Sequence, residues 1–267
     1  MTELRIVQVD AFADRPFTGN PAAVMPLERW LPDEILQAIA LENNLSETAF
    51  TIPASGDADY ELRWFTPTTE VVMCGHATLA SGHVLLKGDR VHFRTRKAGL
   101  LEVARDPGSG SGAGGDRYAM SLPAWKPEPK PLPGVVAALG CRAAETLWHP
   151  NRYGLVVVET EDEVRALRPD FRALAEEGDL LTIVTAPGTR TDIVSRVFAT
   201  GAGIDEDPVT GSAHAVLAPY WAKRLGRNSF SAFQASKRGG RLDCRLEGDR
   251  VILGGQCVTV IEGTMRL

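Results

Sequence analysis

Cysteine is sparse in this chain and never paired in sequence. Four of its 267 residues are cysteine, Cys74, Cys141, Cys244 and Cys257, with no CxxC among them. That excludes a disulfide framework or zinc-ribbon spacing and reads as reduced, intracellular usage. Basic residues are outnumbered, 29 Lys and Arg against 34 Asp and Glu, for a net charge of −5. They are also scattered, so no basic stripe is present to follow a nucleic-acid backbone. No apolar run reaches the roughly 18 residues of a membrane-spanning helix. The amino terminus, MTELRIVQVDAF, alternates like a strand and lacks the layout of a signal peptide. We therefore expect a cytoplasmic protein with neither nucleic acid nor membrane as its partner.

Motifs of several common chemistries are missing as well. The glycine-rich stretch DPGSGSGAGGDR (106–117) has no GK[ST] ending, and GAGIDE (201–206) puts Glu206 where a dinucleotide fingerprint needs its third glycine. Neither GxSxG nor HExxH occurs, which leaves serine and zinc hydrolases without support.

The composition that remains is globular, 44% hydrophobic and 24% charged. A chain this long buries roughly 70–75% of its unfolded surface without staples. Short strand-like runs recur: LRIVQV (4–9), YELRWF (60–65), RVHFRT (90–95) and GLLEVAR (99–105), then YGLVVVE (153–159), LLTIVTA (180–186) and DIVSRVF (192–198). RVILGG (250–255) and QCVTVIEGTMRL (256–267) read as two more. PDEILQAIALENN (32–44) is an amphipathic helix with Pro32 suited to its first turn. Two further helices, from about Gly75 and about Gly211, are Ala- and Leu-rich with almost no charge at their starts, the mark of burial on most sides.

Stretch 106–117 reads as a flexible connector between halves of comparable size. The halves are weakly alike. FTPTTEVVMCGHATLASGHVLL and FATGAGIDEDPVTGSAHAVLAPYWAKRL each leave a strand ending in Phe, cross a polar turn and enter a buried helix. Strand-rich halves with one buried helix each predict an α+β protein of two lobes, 1–112 and 113–267, each a sheet around a central helix. The regular alternation of a parallel doubly wound sheet is absent.

The helix starts carry the candidate chemistry. Gly75 in GHATLA, and Gly211 and Ser212 in TGSAHA, sit where unpaired N–H groups and a partial positive charge favour a carboxylate or phosphate. The plain alternative is capping, with Thr210 or Ser212 as the cap. Asp207 before Pro208 is either an N-cap with proline at the first helical position or a carboxylate oriented at a helix start. Glu47 in NLSETAF is a surface acid or, if buried, a group able to take and return a proton. His76 fits a core histidine or an acid/base partner better than a metal ligand, because no His or Cys lies at i+3 or i+4. Cys74 is a reactive thiol at a helix start or a small buried residue.

Together VDAFADRPFTGNPAAV (9–24), NLSETAF (44–50), FTPTTEVVMCGHATLASGHVL (65–85) and DEDPVTGSAHAVLAPYW (205–221) resemble the PhzF-like phenazine-biosynthesis family. QASKRGGRL (234–242) and GGQCVTVIEGTMRL (254–267) fit its carboxyl end. The resemblance implies a diaminopimelate-epimerase-like fold: two pseudo-symmetric lobes, each a curved, mostly antiparallel sheet around a central helix, with the last C-terminal residues returning to the first lobe. It implies an active site in the cleft between lobes, a homodimer, and isomerase chemistry on a small carboxylated metabolite with no metal or organic cofactor. It gives Glu47 the role of acid/base and makes His76 and Asp207 its catalytic partners. Asn20, Ser46, Gly75, Gly211 and Ser212 fall on substrate-lining positions. Cys74 we place in the pocket wall, because Pro208, taken as its match in the second lobe, cannot exchange a proton.

Two alternatives stand beside this. The similarly folded epimerases and racemases use one cysteine in each lobe; Cys74 matches the first, and Pro208 stands at the place taken for the second. A racemase here would pair Cys74 with Glu47, His76 or Asp207. A non-catalytic protein binding an anionic metabolite is the alternative of another class.

Overall fold

The computed structural model describes residues 2–106 and 116–267. The expected connector falls mostly outside the described residues, as does the expected lobe boundary at 112/113. The chain divides into two compact units, Met1–Ser121 with Gly254–Leu267, and Leu122–Leu253.

The first unit contains β1 (Glu3–Ala11), β2 (Asn20–Pro26), α1 (Asp33–Asn43), β3 (Glu47–Pro53) and β4 (Tyr60–Phe65). It continues through β5 (Glu70–Val71), α2 (Gly75–Leu85), β6 (Arg90–Thr95), β7 (Leu100–Arg105) and β8 (Arg117–Pro123), whose last two residues belong to the second unit. The second holds β9 (Glu128–Pro129), α3 (Pro133–Leu139), β10 (Glu145–His149), β11 (Tyr153–Val157), α4 (Glu161–Ala166) and α5 (Phe171–Glu176). After these come β12 (Leu181–Pro187), β13 (Ile193–Phe198), α6 (Gly211–Leu225), β14 (Ser229–Gln234) and β15 (Gly240–Glu247). The last strand, β16 (Arg250–Arg266), starts in the second unit and ends in the first. It is one continuous strand where the sequence suggested two, with Gly254 and Gly255 inside it.

In the first unit the strands run in the order β1-β2-β3-β4-β6-β7-β8-β16, and β16 also pairs with β1, so the sheet closes. The helix α2 packs on β1, β2, β3, β6 and β7. Its first eight residues, Gly75 to Gly82, are all buried. Small side chains allow this: a Cβ at Gly82 would stand 2.4 Å from Val103 Cγ1. The amphipathic α1 covers the sheet elsewhere, burying Leu36, Ile39 and Ala40 with Met25, Leu27, Phe50 and Phe65. Pro32 is its N-cap rather than a first-turn residue.

In the second unit the order is β15-β14-β13-β12-β11-β10-β9. Val135, Leu139, Val164 and Leu174 of the three short helices pack with Val156, Val184 and Phe198 of the strands. The buried α6 runs straight through Pro219. Proline has no N–H to give to the carbonyl four residues back. Here that carbonyl, Ala215 O, accepts the Trp125 N–H at 3.0 Å.

The duplication hinted at in the sequence is explicit in the ladders. β2/β3 and β4/β6 are parallel, as are β11/β12 and β13/β14. The strands between them are antiparallel, β3/β4 in one unit and β12/β13 in the other. The second crossover of each unit is its buried helix. In register, Thr48 faces Phe65 in one unit and Thr182 faces Phe198 in the other. ETAFTIP (47–53) thus corresponds to LTIVTAP (181–187), and YELRWF (60–65) to IVSRVF (193–198). Among the described residues no helix is long and apolar enough to cross a membrane.

Candidate functional site

The start of α2 gathers the candidates of the first unit. Cys74 is the helix N-cap, in extended conformation, and its side chain makes no capping bond. His76, the second helical residue, is carried inward by the helix and is only 4% exposed. The neighbouring β3 begins at Glu47, whose side chain is 13% exposed. Glu47 Oε2 lies 3.0 Å from His76 Nε2. On the far side of the ring, Asn20 Nδ2, from the first residue of β2, is 3.1 Å from Nδ1. Cys74 Sγ completes the cluster at 3.5 Å from Nδ1. Ser46 and Gly75 adjoin it in sequence, Ser46 half-buried and Gly75 buried as the first residue of α2.

Electrostatics separate the thiol from the imidazole. Burial and then the Glu47 charge push the Cys74 thiol up to about 11, against the opposing pull of His76 and the Ala77 amide. Burial pulls His76 down, but Cys74 and Glu47 outweigh it and hold the imidazolium well above its usual range. A thiol raised this far is neutral near pH 7, so the Glu47 carboxylate is the partner that matters. The Asn20 amide serves either state of the ring: its NH2 end can donate to a bare Nδ1, and its oxygen can accept from a protonated one.

The candidates of the second unit surround the start of α6. Thr210 is the N-cap, and again makes no capping bond. Its hydroxyl instead donates to Asp207 Oδ2 at 2.5 Å. Asp207 is therefore not the N-cap, and Pro208 not the first helical residue. Gly211 begins the helix and is buried; Ser212 follows, half-buried, and hydrogen-bonds the Tyr153 side chain. Counting from the helix starts matches Cys74 with Thr210, His76 with Ser212 and Val71 with Asp207. This corrects the match of Cys74 with Pro208, although a hydroxyl at Thr210 leaves a two-thiol arrangement just as incomplete. The position of Glu47 is taken in the second unit by Leu181.

Neither α2 nor α6 has an acidic residue in its first turn, whereas α1 opens with Asp33 and Glu34. The positive ends of the two buried helices are thus uncompensated by their own side chains, as suits an anionic ligand.

Three residues that hold these starts in place were not anticipated. Arg63 grips Glu70 through Nε and Nη2, each at 2.8 Å, four residues before Cys74. Arg196 grips Glu206 in the same way at 2.7 and 3.0 Å, four residues before Thr210. Gln234, fully buried, accepts the Thr210 N–H at 2.9 Å and donates to Asp207 O at 2.7 Å. The arginines were legible in principle, since each stands two residues before the terminal Phe of its repeated strand. Nothing in the sequence links Gln234 to a turn more than twenty residues earlier.

Comparisons with known proteins agree with this architecture. Residues 9–263 match the phenazine biosynthesis-like protein family, PhzC–PhzF. An uncharacterized isomerase of Pseudomonas aeruginosa is 51% identical over 99% of this chain and 100% of its own. The crystal structure of a PhzF-family phenazine biosynthesis protein from Enterococcus faecalis superposes with a TM-score of 0.91, at 43% identity over 100% of both chains. A hydroxyproline epimerase from Agrobacterium vitis shares the fold at a TM-score of 0.61 and 13% identity, over 98% of this chain and 92% of that one. The fold is that of the epimerase-like α+β proteins. Within it, this chain belongs to the phenazine biosynthesis-like family.

Proposed function

We propose that the protein is a cofactor-independent isomerase that moves a proton within a small carboxylated metabolite, with Glu47 as the acid/base. The observation that carries this is the placement of Glu47 Oε2 3.0 Å from His76 Nε2 beside the start of α2. The carboxylate takes a proton from a substrate carbon, the C–H electron pair enters the adjoining π system, and the proton is returned to another carbon. Nothing is oxidised or reduced. Negative charge that develops is stabilised by the helix-start N–H groups at Gly75. His76 holds the Glu47 carboxylate. Asn20 and Ser46 line the site, with Cys74 in its wall. The relatives that bear the name isomerase support the reaction class. We read the working form as a cytoplasmic homodimer, which sedimentation of the purified protein checks.

The test is a metabolite extract incubated with the enzyme in deuterated water and analysed by mass spectrometry for a compound that gains deuterium. Glu47→Gln should slow that reaction by about 10²–10⁴-fold, the usual share of general acid–base catalysis. Cys74→Ala should leave it largely intact. Near-normal turnover in Glu47→Gln, with Cys74→Ala inactive, would transfer the role to the thiol and make the enzyme a racemase or epimerase.

A further inference from the structure

Cys74 takes no part in that chemistry, yet its surroundings suit another ligand. Cys74 Sγ, His76 and a Glu47 oxygen lie within 4.8 Å of one another. The sequence argued against a metal because His76 has no partner ligand on its own helix. The fold supplies two donors from elsewhere, Glu47 from β3 and Cys74 from the helix N-cap.

We propose that the cluster Glu47–Cys74–His76 is a binding site for a thiophilic divalent cation of the zinc type, coordinated by Cys74 Sγ, His76 Nε2 and a Glu47 carboxylate oxygen. Sulfur and nitrogen bound tetrahedrally at roughly 2.3 and 2.0 Å stand about 3.5 Å apart, and nitrogen and oxygen about 3.3 Å. The observed separations are 4.0 Å for Sγ···Nε2 and 3.0 Å for Nε2···Oε2. Both separations are within about 0.5 Å of the coordinated values, and all three donors lie within 4.8 Å of one another. The second shell is also in place. A ligating histidine donates its other N–H to an oxygen, and the Asn20 amide, 3.1 Å from Nδ1, meets that need once its oxygen faces the ring. The donor set is right for zinc, with one sulfur, one imidazole and one carboxylate, and it leaves a fourth position for water. As the metal binds, the Cys74 thiol and the Nε2–H of the His76 imidazolium each give a proton to solvent, and Nδ1 keeps its own. No electrons are transferred.

Binding does not depend on the isomerase reading. If that reading holds, a cation here occupies the very oxygen that carries the proton, and the site becomes a zinc-inhibited one.

Cobalt reports the coordination directly. The full-length protein, stripped with chelator and titrated with Co²⁺, should take up one equivalent and develop a thiolate-to-cobalt charge-transfer band in the near ultraviolet. Zn²⁺ should then abolish the band by displacing the cobalt. Cys74→Ser should remove it, Glu47→Gln and His76→Ala should each weaken binding at least tenfold, and Asn20→Ala should weaken it about 10–100-fold. Cys141→Ser, at a half-buried thiol of the second unit, should change nothing. Far-ultraviolet circular dichroism of each variant confirms that it is folded. No band in the wild-type protein, or an unchanged band in Cys74→Ser, overturns the proposal. The readout is spectral, so it stands or falls separately from turnover.

Discussion

Arg63 and Arg196 are the same residue of the repeat: each clasps a glutamate with Nε and Nη2, four residues before the N-cap of a buried helix. Each also lies against the Phe that ends its strand, with guanidinium-to-ring distances of 4.9 Å for Phe65 and 5.1 Å for Phe198. The two polar turns differ in length, yet both are fastened at the same distance from the helix.

Cutting one clasp should cost more than a surface ion pair. Arg196 is 11% exposed, so Arg196→Met leaves Glu206 desolvated without its partner, a loss of about 3 kcal/mol. Urea unfolding measures it. Adding Glu206→Gln should recover more than half, since the charge left behind is what destabilises. A single variant as stable as wild type contradicts this account.

Gln234 should matter at both ends of its amide. Gln234→Leu strands the Thr210 N–H and the Asp207 carbonyl, and should cost roughly 1–3 kcal/mol. Gln234→Glu, which keeps the acceptor but puts a carboxylate oxygen against the Asp207 carbonyl, should be destabilised most at high pH. Melting temperatures across pH 5–9 separate the two variants.

How much of this was visible beforehand follows from the range of each interaction. β4 and β6 were read at the residues where they occur, because period-two patterning is local. The starts of α2 and α6 were marked by Gly75 and Gly211. β2 and β3 were not recognised as strands. NPAAVMP is almost wholly buried and shows no alternation, and Glu47 interrupts the apolar run at the head of β3. Glu47 and His76 stand out from the residues themselves, and their roles, together with Asn20, follow from the family resemblance. Their mutual distances depend on the β2/β3 ladder and on α2 within the closed sheet, which no local pattern encodes.

The imidazole of His76 should remain protonated well past the usual histidine range, and His214 should stay neutral down to about pH 4 because burial pulls it down. Two-dimensional ¹H–¹⁵N spectra resolve both titrations. Because the folded His76 binds its proton more tightly, its stabilising contribution is complete below about pH 6.5 and is lost as pH rises through its folded value. Glu47→Gln should bring the titration of His76 down and flatten that part of the stability profile. A His76 that titrates as an ordinary histidine would sink the electrostatic reading of the site.

Pro219→Ala tests why α6 tolerates a proline. A helix-interior proline ordinarily costs about 3 kcal/mol. The Ala215 carbonyl already has a donor in the Trp125 N–H. Restoring the 219 N–H should therefore raise stability by less than about 1 kcal/mol. A gain near the full amount would show that the Trp125 contact does not compensate.

Leu181 at the position of Glu47 gives the duplicated scaffold a handedness in its chemistry. A racemase with a base on each side lifts hydrogen from one face of a carbon and delivers it to the other, inverting the centre. Where Glu47 is the one proton carrier, the hydrogen leaves and returns on a single face. For the proposed isomerase, the migrating hydrogen stays suprafacial, and some of it is the substrate's own atom handed back before it exchanges with water. Deuterium uptake should then fall short of one atom per turnover, and the new C–H bond should point to the side from which the old one was taken.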